Sequence, residues 1–216
     1  MRTLSQVLCI LVLSQEADAQ MRDAQARHSP PSWWLSVDGG KSERSSLSDV
    51  ASDARWNLLA SAPMRMGLAY GRLERLIGVA VSRAMIPLRI YGASCFSCNA
   101  RVQALQTFAT YRHTQPLFTT AFTNTMELGA GVTRWSDFAG RRGTALAGIA
   151  ANYDLTFVAG IGIGRPVGER WELSATYDIA AMTHERQKNV VFGDVPSGKV
   201  SLPTFRIGAR LRLERE

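Results

Sequence analysis

Residues 205–213 read Phe-Arg-Ile-Gly-Ala-Arg-Leu-Arg-Leu, with every odd position apolar and every even position arginine or glycine. Successive side chains of a strand point to opposite faces, so one face of this segment is hydrocarbon and the other is charged or bare. A soluble sheet would turn the apolar face toward a core. Several other segments make the same division, however, setting long apolar side chains against Gly, Ala, Ser, Thr and ionisable groups. That is the signature of a barrel whose apolar face meets lipid. The predicted fold class is all-β, an eight-stranded antiparallel up-and-down transmembrane β-barrel.

The N-terminus fits an exported chain. Arg2 precedes the apolar run Val7–Leu13, and Ala17-Asp18-Ala19 supplies a small-x-small cleavage site, the layout of a secretory signal peptide. The predicted organisation is a signal peptide over 1–19, a periplasmic leader over 20–31 containing Pro30-Pro31, and a barrel domain over 32–216. The early apolar run is too short for a spanning helix, which needs roughly 20 apolar residues, and no later run is longer, so insertion must be by strands. Loss of Arg2, Glu16 and Asp18 with the signal takes the formal net charge from +7 to +8. In an exported chain that charge points to anionic lipid and not to nucleic acid. Cys95 and Cys98 remain after cleavage and are expected to form a small disulfide loop, as suits an oxidising envelope. No zinc-ligand spacing accompanies them, and no metal or cofactor is expected.

Alternation places a first strand at Ser32–Val37, ending at Asp38-Gly39-Gly40, and then a long loop to Ala62 with a possible helical turn around Ser48–Leu59. Met64–Gly71 and the run around Ile77–Ser82 form a hairpin, followed by a long connection over Ala84–Asn99. Arg101–Tyr111 is the fourth strand, closed by a turn at His113–Pro116. The fifth strand faces Phe122, Met126, Leu128 and Val132 away from Thr123, Glu127, Gly129 and Thr133. A connection over Trp135–Arg142 leads to the sixth, with Tyr153, Leu155, Phe157 and Ile161 opposite Asp154, Thr156 and Gly160. Arg165–Gly168 turns into the seventh, where Trp171, Leu173 and Tyr177 oppose Glu172, Ser174 and Asp178. Thr183–Val200 is the last long loop, and the closing strand starts at Thr204. Connections alternate between long and short, as expected when short turns lie in the periplasm and long loops outside; both termini are then periplasmic. Trp33, Trp34, Tyr70 and Trp171 at one end, with Trp135 and Phe205 at the other, are candidates for two interfacial girdles.

On this pattern the chain resembles the small eight-stranded barrels of Gram-negative outer membranes, the group containing the OmpA transmembrane domain, OmpX and the opacity-type surface proteins. The resemblance covers roughly Ser32 to Leu213 and is sharpest in the last strand, where Arg206, Gly208, Leu211 and Leu213 fit the family's C-terminal assembly signal. It implies a place in the cell outer membrane and recognition by the barrel-assembly machinery. The family usually ends on an aromatic residue, whereas this chain adds Glu214-Arg215-Glu216.

Small barrels fill their interiors with side chains. The lumen face is assigned Arg65, Glu127, Asp154, Glu172, Asp178, Arg206, Arg210 and Arg212, and buried charges are tolerable only when paired, so a network of ion pairs is expected. The weak catalytic candidate is His184, expected as a solvated histidine near the rim, for which no serine lies two residues on. The glycines at 129, 131, 160, 162 and 164 recur at a period of two, unlike a phosphate-binding loop, and are read as strand glycines. Lys41, Arg44, Arg55, Arg89 and Arg101, with Arg141, Arg142, Arg186 and Lys188 as the principal lipid-phosphate contacts, are available to lipopolysaccharide. The function expected is a structural or surface-interaction role through four extracellular loops, with partners in outer-membrane lipid and lipopolysaccharide and an unidentified extracellular partner. An outer-membrane lipid-modifying enzyme and a narrow channel are the alternatives.

Overall fold

The computed structural model describes residues 30–49, 54–92, 95–117, 122–140, 151–184 and 198–213. Every regular element among them is a strand: β1 (Ser32–Ser42), β2 (Ser45–Asp49), β3 (Ala54–Leu58), β4 (Met64–Arg72), β5 (Arg75–Gly92), β6 (Cys95–Leu117), β7 (Phe122–Gly140), β8 (Asn152–Val167), β9 (Trp171–His184) and β10 (Gly198–Leu213). Antiparallel pairing runs from β1 through β4, β5, β6, β7, β8 and β9 to β10, which pairs back onto β1. Eight strands therefore close into a barrel, which leaves no sheet edge in that ring.

The strands are strongly tilted. Paired residues followed around the ring run Ser32, Gly71, Leu76, Arg112, Glu127, Gly160, Asp178, Thr204 and then Ser42. The row returns to β1 at the opposite end of this 11-residue strand, and such a stagger requires the strands to lean against the barrel axis. Tight turns lie at Leu73–Glu74 and at Gly168–Arg170. Gly168 has φ 66°, a conformation in which a Cβ would be strained.

The inside-out pattern holds over the lower part of the ring. Ile77, Val79, Val81, Met126, Leu128, Ile161, Ile163 and Ile207 point outward and are exposed, Ile77 and Ile161 at 67%. Arg65, Glu127, Glu172, Asp178, Arg206 and Arg210 are buried inside. Trp33, Tyr70, Trp171 and Phe205 also face outward, and the Trp33 and Tyr70 rings lie 5.1 Å apart. Trp34 and Trp135 correct the expected girdles, because both are buried on the lumen side.

Above that zone the pattern reverses along the same strands. On β5 the apolar side chains Ile86, Leu88 and Ile90 turn inward while Arg83, Pro87 and Arg89 face out. Val102 on β6, Phe138 on β7, Met182 on β9, and Val200 and Leu202 on β10 join them, with Leu47, Trp56 and Leu58 of the β2–β3 hairpin, in one buried apolar cluster. This end of the barrel is built like a soluble protein. The 23-residue β6 far exceeds the 9–11 residues that cross a bilayer. Where β1 and β4 stop short, β3 pairs with the far end of β5 and extends the wall.

Several sequence expectations are corrected here. The segment from Lys41 to Ala62 contains no helix among its described residues and holds the β2–β3 hairpin instead. Ala84–Asn99 is mostly the projecting ends of β5 and β6, with Pro87 outward in the strand and its carbonyl accepting from the Leu59 amide at 2.8 Å. His113–Pro116 is strand, paired with Thr123–Met126. Trp135–Gly140 continues β7, the Arg165–Gly168 turn falls at Gly168–Arg170, and β10 starts at Gly198. The signal segment 1–19 and the leader up to residue 29 lie outside the described residues.

Candidate functional site: the barrel lumen

Inward parity on six strands brings a charged layer together in the lower lumen. Glu127 of β7 is its hub: its carboxylate lies 2.7 Å from Nη2 of Arg65, 3.1 Å from Nη2 of Arg112 and 3.4 Å from Nη2 of Arg206. Arg206 of β10 also donates from Nε to Asp178 Oδ2 at 2.5 Å, and its Nη1 is 3.3 Å from Asp38 Oδ2. Arg210 Nη2 meets Glu172 Oε1 at 2.7 Å. Four arginines thus face four carboxylates, so the layer carries no net formal charge, which is the condition under which burial of so many ions is tolerable. The Arg65 guanidinium also sits over the Phe108 ring, 5.5 Å from its centroid, an arrangement favoured by the ring quadrupole.

Two small cavities flank this layer. One, about 30 Å³, is bordered by Arg65, Asp178, Arg206, Ile86, Phe108 and Leu202; the other, also about 30 Å³, by Asp38, Arg65, Arg112, Glu127 and Arg210. Each has room for a water molecule or two, since one water occupies about 10–15 Å³ on this measure.

A second polar group lies among the apolar side chains of the upper lumen. Asp154 of β8 accepts from Trp135 Nε1 at 2.6 Å and lies 2.8 Å from His184 Nδ1. The His184 ring packs against Trp56 at 6.1 Å and meets Trp135 edge-on at 6.3 Å. Thr133 and Thr156 share a hydroxyl contact of 2.6 Å. His184 is not at a solvated rim: it is 4% exposed. Its Nε2 has no hydrogen-bond partner among the described residues.

Of the sequence-assigned lumen residues, Arg65, Glu127, Asp178 and Arg206 come together in one network, Glu172 and Arg210 form a pair toward the turn end, and Asp154 stands apart with His184 and Trp135. Arg212 does not join them. It is half-buried at the end of β10, with its Nε donating to Ser32 Oγ at 3.1 Å. Asp38 and Arg112 belong to the layer and escaped the sequence reading. Asp38 lies beside Gly39-Gly40 and looked like a turn, although the parity of Trp34 and Ser36 places it inward. Arg112 fell at the expected end of a strand that in fact continues to Leu117. In the assembly-signal segment, Gly208 packs against Asp38: a Cβ there would collide with the carboxylate and with the Val37 carbonyl. Leu211 pairs with Leu35 and Trp171, and Leu213 with Trp33.

Cys98 is disulfide-bonded; the side chain of Cys95 lies outside the described residues, as do Arg141, Arg142, Arg186 and Lys188. Lys41, Arg44, Arg55, Arg89 and Arg101 are exposed. Among the described residues no group of three or more His, Cys, Asp or Glu side chains is placed to hold a metal ion.

No family model matches the sequence, and no curated protein does. The fold, in contrast, has clear counterparts among solved structures. The outer-membrane protein OprG from Pseudomonas aeruginosa is similar with a TM-score of 0.57 at 12% identity, over 87% of this chain and 98% of that one. Neisserial surface protein A is similar with a TM-score of 0.53 at 13% identity, over 86% of this chain and all of that one. At such identities the similarity is one of fold, and the fold is that of the small eight-stranded outer-membrane barrels.

Proposed function

We propose that this chain, which has the fold of the small outer-membrane barrels, is itself an outer-membrane protein whose closed, ion-paired lumen serves as a rigid mount for the strand ends and loops displayed outside the cell. The observation that carries the reading is the inversion of burial along single strands: lipid-type side chains outside and ions inside over one zone, then apolar inside and arginine outside beyond it. Only a chain that meets hydrocarbon and water at different heights gains from that arrangement. The tight turns at Leu73–Glu74 and Gly168–Arg170 then face the periplasm together with both termini, and β5–β7 project outward. Residues 1–19 act as the export signal, and Arg206, Gly208, Leu211 and Leu213 are read by the barrel-assembly machinery. Loop cations, Arg141, Arg142, Arg186 and Lys188 among them, contact lipopolysaccharide phosphates, for which the arginine fork is well shaped.

Membrane fractionation followed by gel migration of boiled and unboiled samples tests the reading. A heat-dependent shift in the outer-membrane fraction is expected; a soluble protein without a shift refutes it. The lumen favours a structural role over a channel, because a balanced ionic layer and an apolar cluster lie in series along it. Planar-bilayer recordings should accordingly show no steady conductance, and discrete openings would count for the channel.

A further inference from the structure

We propose that the outer wall formed by β5, β6 and β7 is a docking surface for the phosphate groups of a phosphorylated glycolipid in the outer leaflet, bound by Arg83, Arg101 and Arg134. The proposal rests on the membrane orientation given above.

Its first support is height. On β5, outward Val79 and Val81 give way to Arg83, and on β7 outward Leu128 and Val132 give way to Arg134. At the same level the lumen changes from polar Ser82 and Thr133 to apolar Ile86 and Trp135. The outward faces of two strands therefore switch character at one level, which is where hydrocarbon ends and headgroups begin. Arg83 and Arg134 both pair with Leu105 of β6, from opposite sides. Two strand spacings separate them, about 10 Å. Arg101, four residues beyond Leu105 on β6, tops the same wall opposite Pro87 and Ala139, and Arg89 and Arg55 continue it outward.

The second support is charge. Each of the four lumen arginines has a carboxylate within 3.1 Å. The wall arginines have none among the described residues: Arg83 Nε donates to the neutral Gln103 Oε1 at 2.8 Å, and Gln103 Nε2 reaches Ser136 Oγ at 3.5 Å. Arg83 is thus held in place without being neutralised, leaving its terminal amines to donate. Asp137 is the one exposed carboxylate of β5–β7 among the described residues. Elsewhere near this level the exposed cations among the described residues are Lys41 of β1, Arg44 just beyond it and Lys199 of β10, with Glu43 beside the first two, while Ala181, Thr183 and Ser201 are neutral; β5–β7 carry the larger group, with Arg83, Arg89, Arg101 and Arg134 exposed. A cationic wall directly above hydrocarbon suits an anion tethered to acyl chains, and arginine binds phosphate through paired N–H donors. Val81, exposed on the inner side of Arg83, offers apolar contact to the lipid's acyl portion.

The full chain, reconstituted in phosphatidylcholine nanodiscs containing either bisphosphorylated lipid A or the same lipid stripped of phosphate, provides the test, with co-purified glycolipid quantified by mass spectrometry. The wild-type protein should retain the phosphorylated form at least ten-fold better. The R83Q/R101Q/R134Q variant should lose that preference while K199Q keeps it, and the single variant R134Q should lose part of it should the triple variant not assemble. Equal retention of the two lipids by wild type, or an equal loss in K199Q, overturns the docking surface. A wild-type protein lacking the heat-dependent gel shift instead overturns the membrane reading on which the surface rests, so the two failures are distinguishable.

Discussion

Replacing Glu127 by glutamine tests the lumen network at its hub. The carboxylate accepts from Arg65, Arg112 and Arg206, but these arginines are not equally dependent on it. Arg206 keeps Asp178 and Asp38. Arg65 and Arg112 lose the one carboxylate within ion-pair distance among the described residues, and both are buried. Glu127→Gln therefore preserves the shape of the site and strands two guanidinium charges in a lumen that offers room for few waters. Removing one partner of a buried pair costs about 3–5 kcal/mol, and two stranded cations put this variant at the upper end. At about 1.4 kcal/mol per decade, the folding equilibrium should fall by a factor of about 1,000 or more. Urea titration in lipid vesicles, followed by tryptophan fluorescence and by migration of unboiled samples, measures the change. The double variant Arg65→Gln, Glu127→Gln should recover part of the loss, because it removes one of the stranded charges. A loss in Glu127→Gln below about 1 kcal/mol, the range of an exposed pair, would refute the claim that the layer is dry and interdependent.

Other substitutions probe separate links. Ile161→Arg, at a position 67% exposed, would change a soluble protein by about 0.5 kcal/mol or less, but on a lipid-facing strand it should cost about 2–4 kcal/mol; vesicle unfolding measurements separate the two. Asp154→Ala removes the acceptor of Trp135 Nε1 and the partner of His184, and should both lower stability and shift the Trp135 emission, where an unchanged spectrum would mean the group is not formed. Gly131→Ala would drive a Cβ into the Thr107 carbonyl and the Phe108 backbone; overpacking of this kind costs about 1–3 kcal/mol, visible as a lower temperature for the gel shift.

The period-two alternation was legible wherever hydrocarbon and lumen lay on opposite faces. Ile77, Val79 and Val81 on β5, Leu155–Ile163 on β8 and Phe205–Leu213 on β10 carry it unbroken, and the orientation of each of these side chains follows from strand geometry alone. The outer halves of the same strands were not legible as barrel. From Ala84 to Ile90 the alternation persists with its sense reversed, and Pro87 in the middle of it mimics a loop. Which face of an alternating strand is buried depends on the medium outside, and that is a property of the assembled barrel's height in the membrane. Asp38 and Arg112 were missed for a related reason, because strand ends are set by neighbours that continue pairing.

The sequence by itself determined that strands, not helices, make this protein, and which side chains share a face, because the two-residue repeat of extended backbone is local. Only the tertiary structure decided who meets whom across the lumen. Glu127 gathers Arg65, Arg112 and Arg206 because the tilt of the closed ring brings residues far apart in the chain to one level, and His184 finds Asp154 of β8 because β9 continues to His184, into the expected loop. Closure and stagger are properties of all eight strands together, and no single segment encodes them.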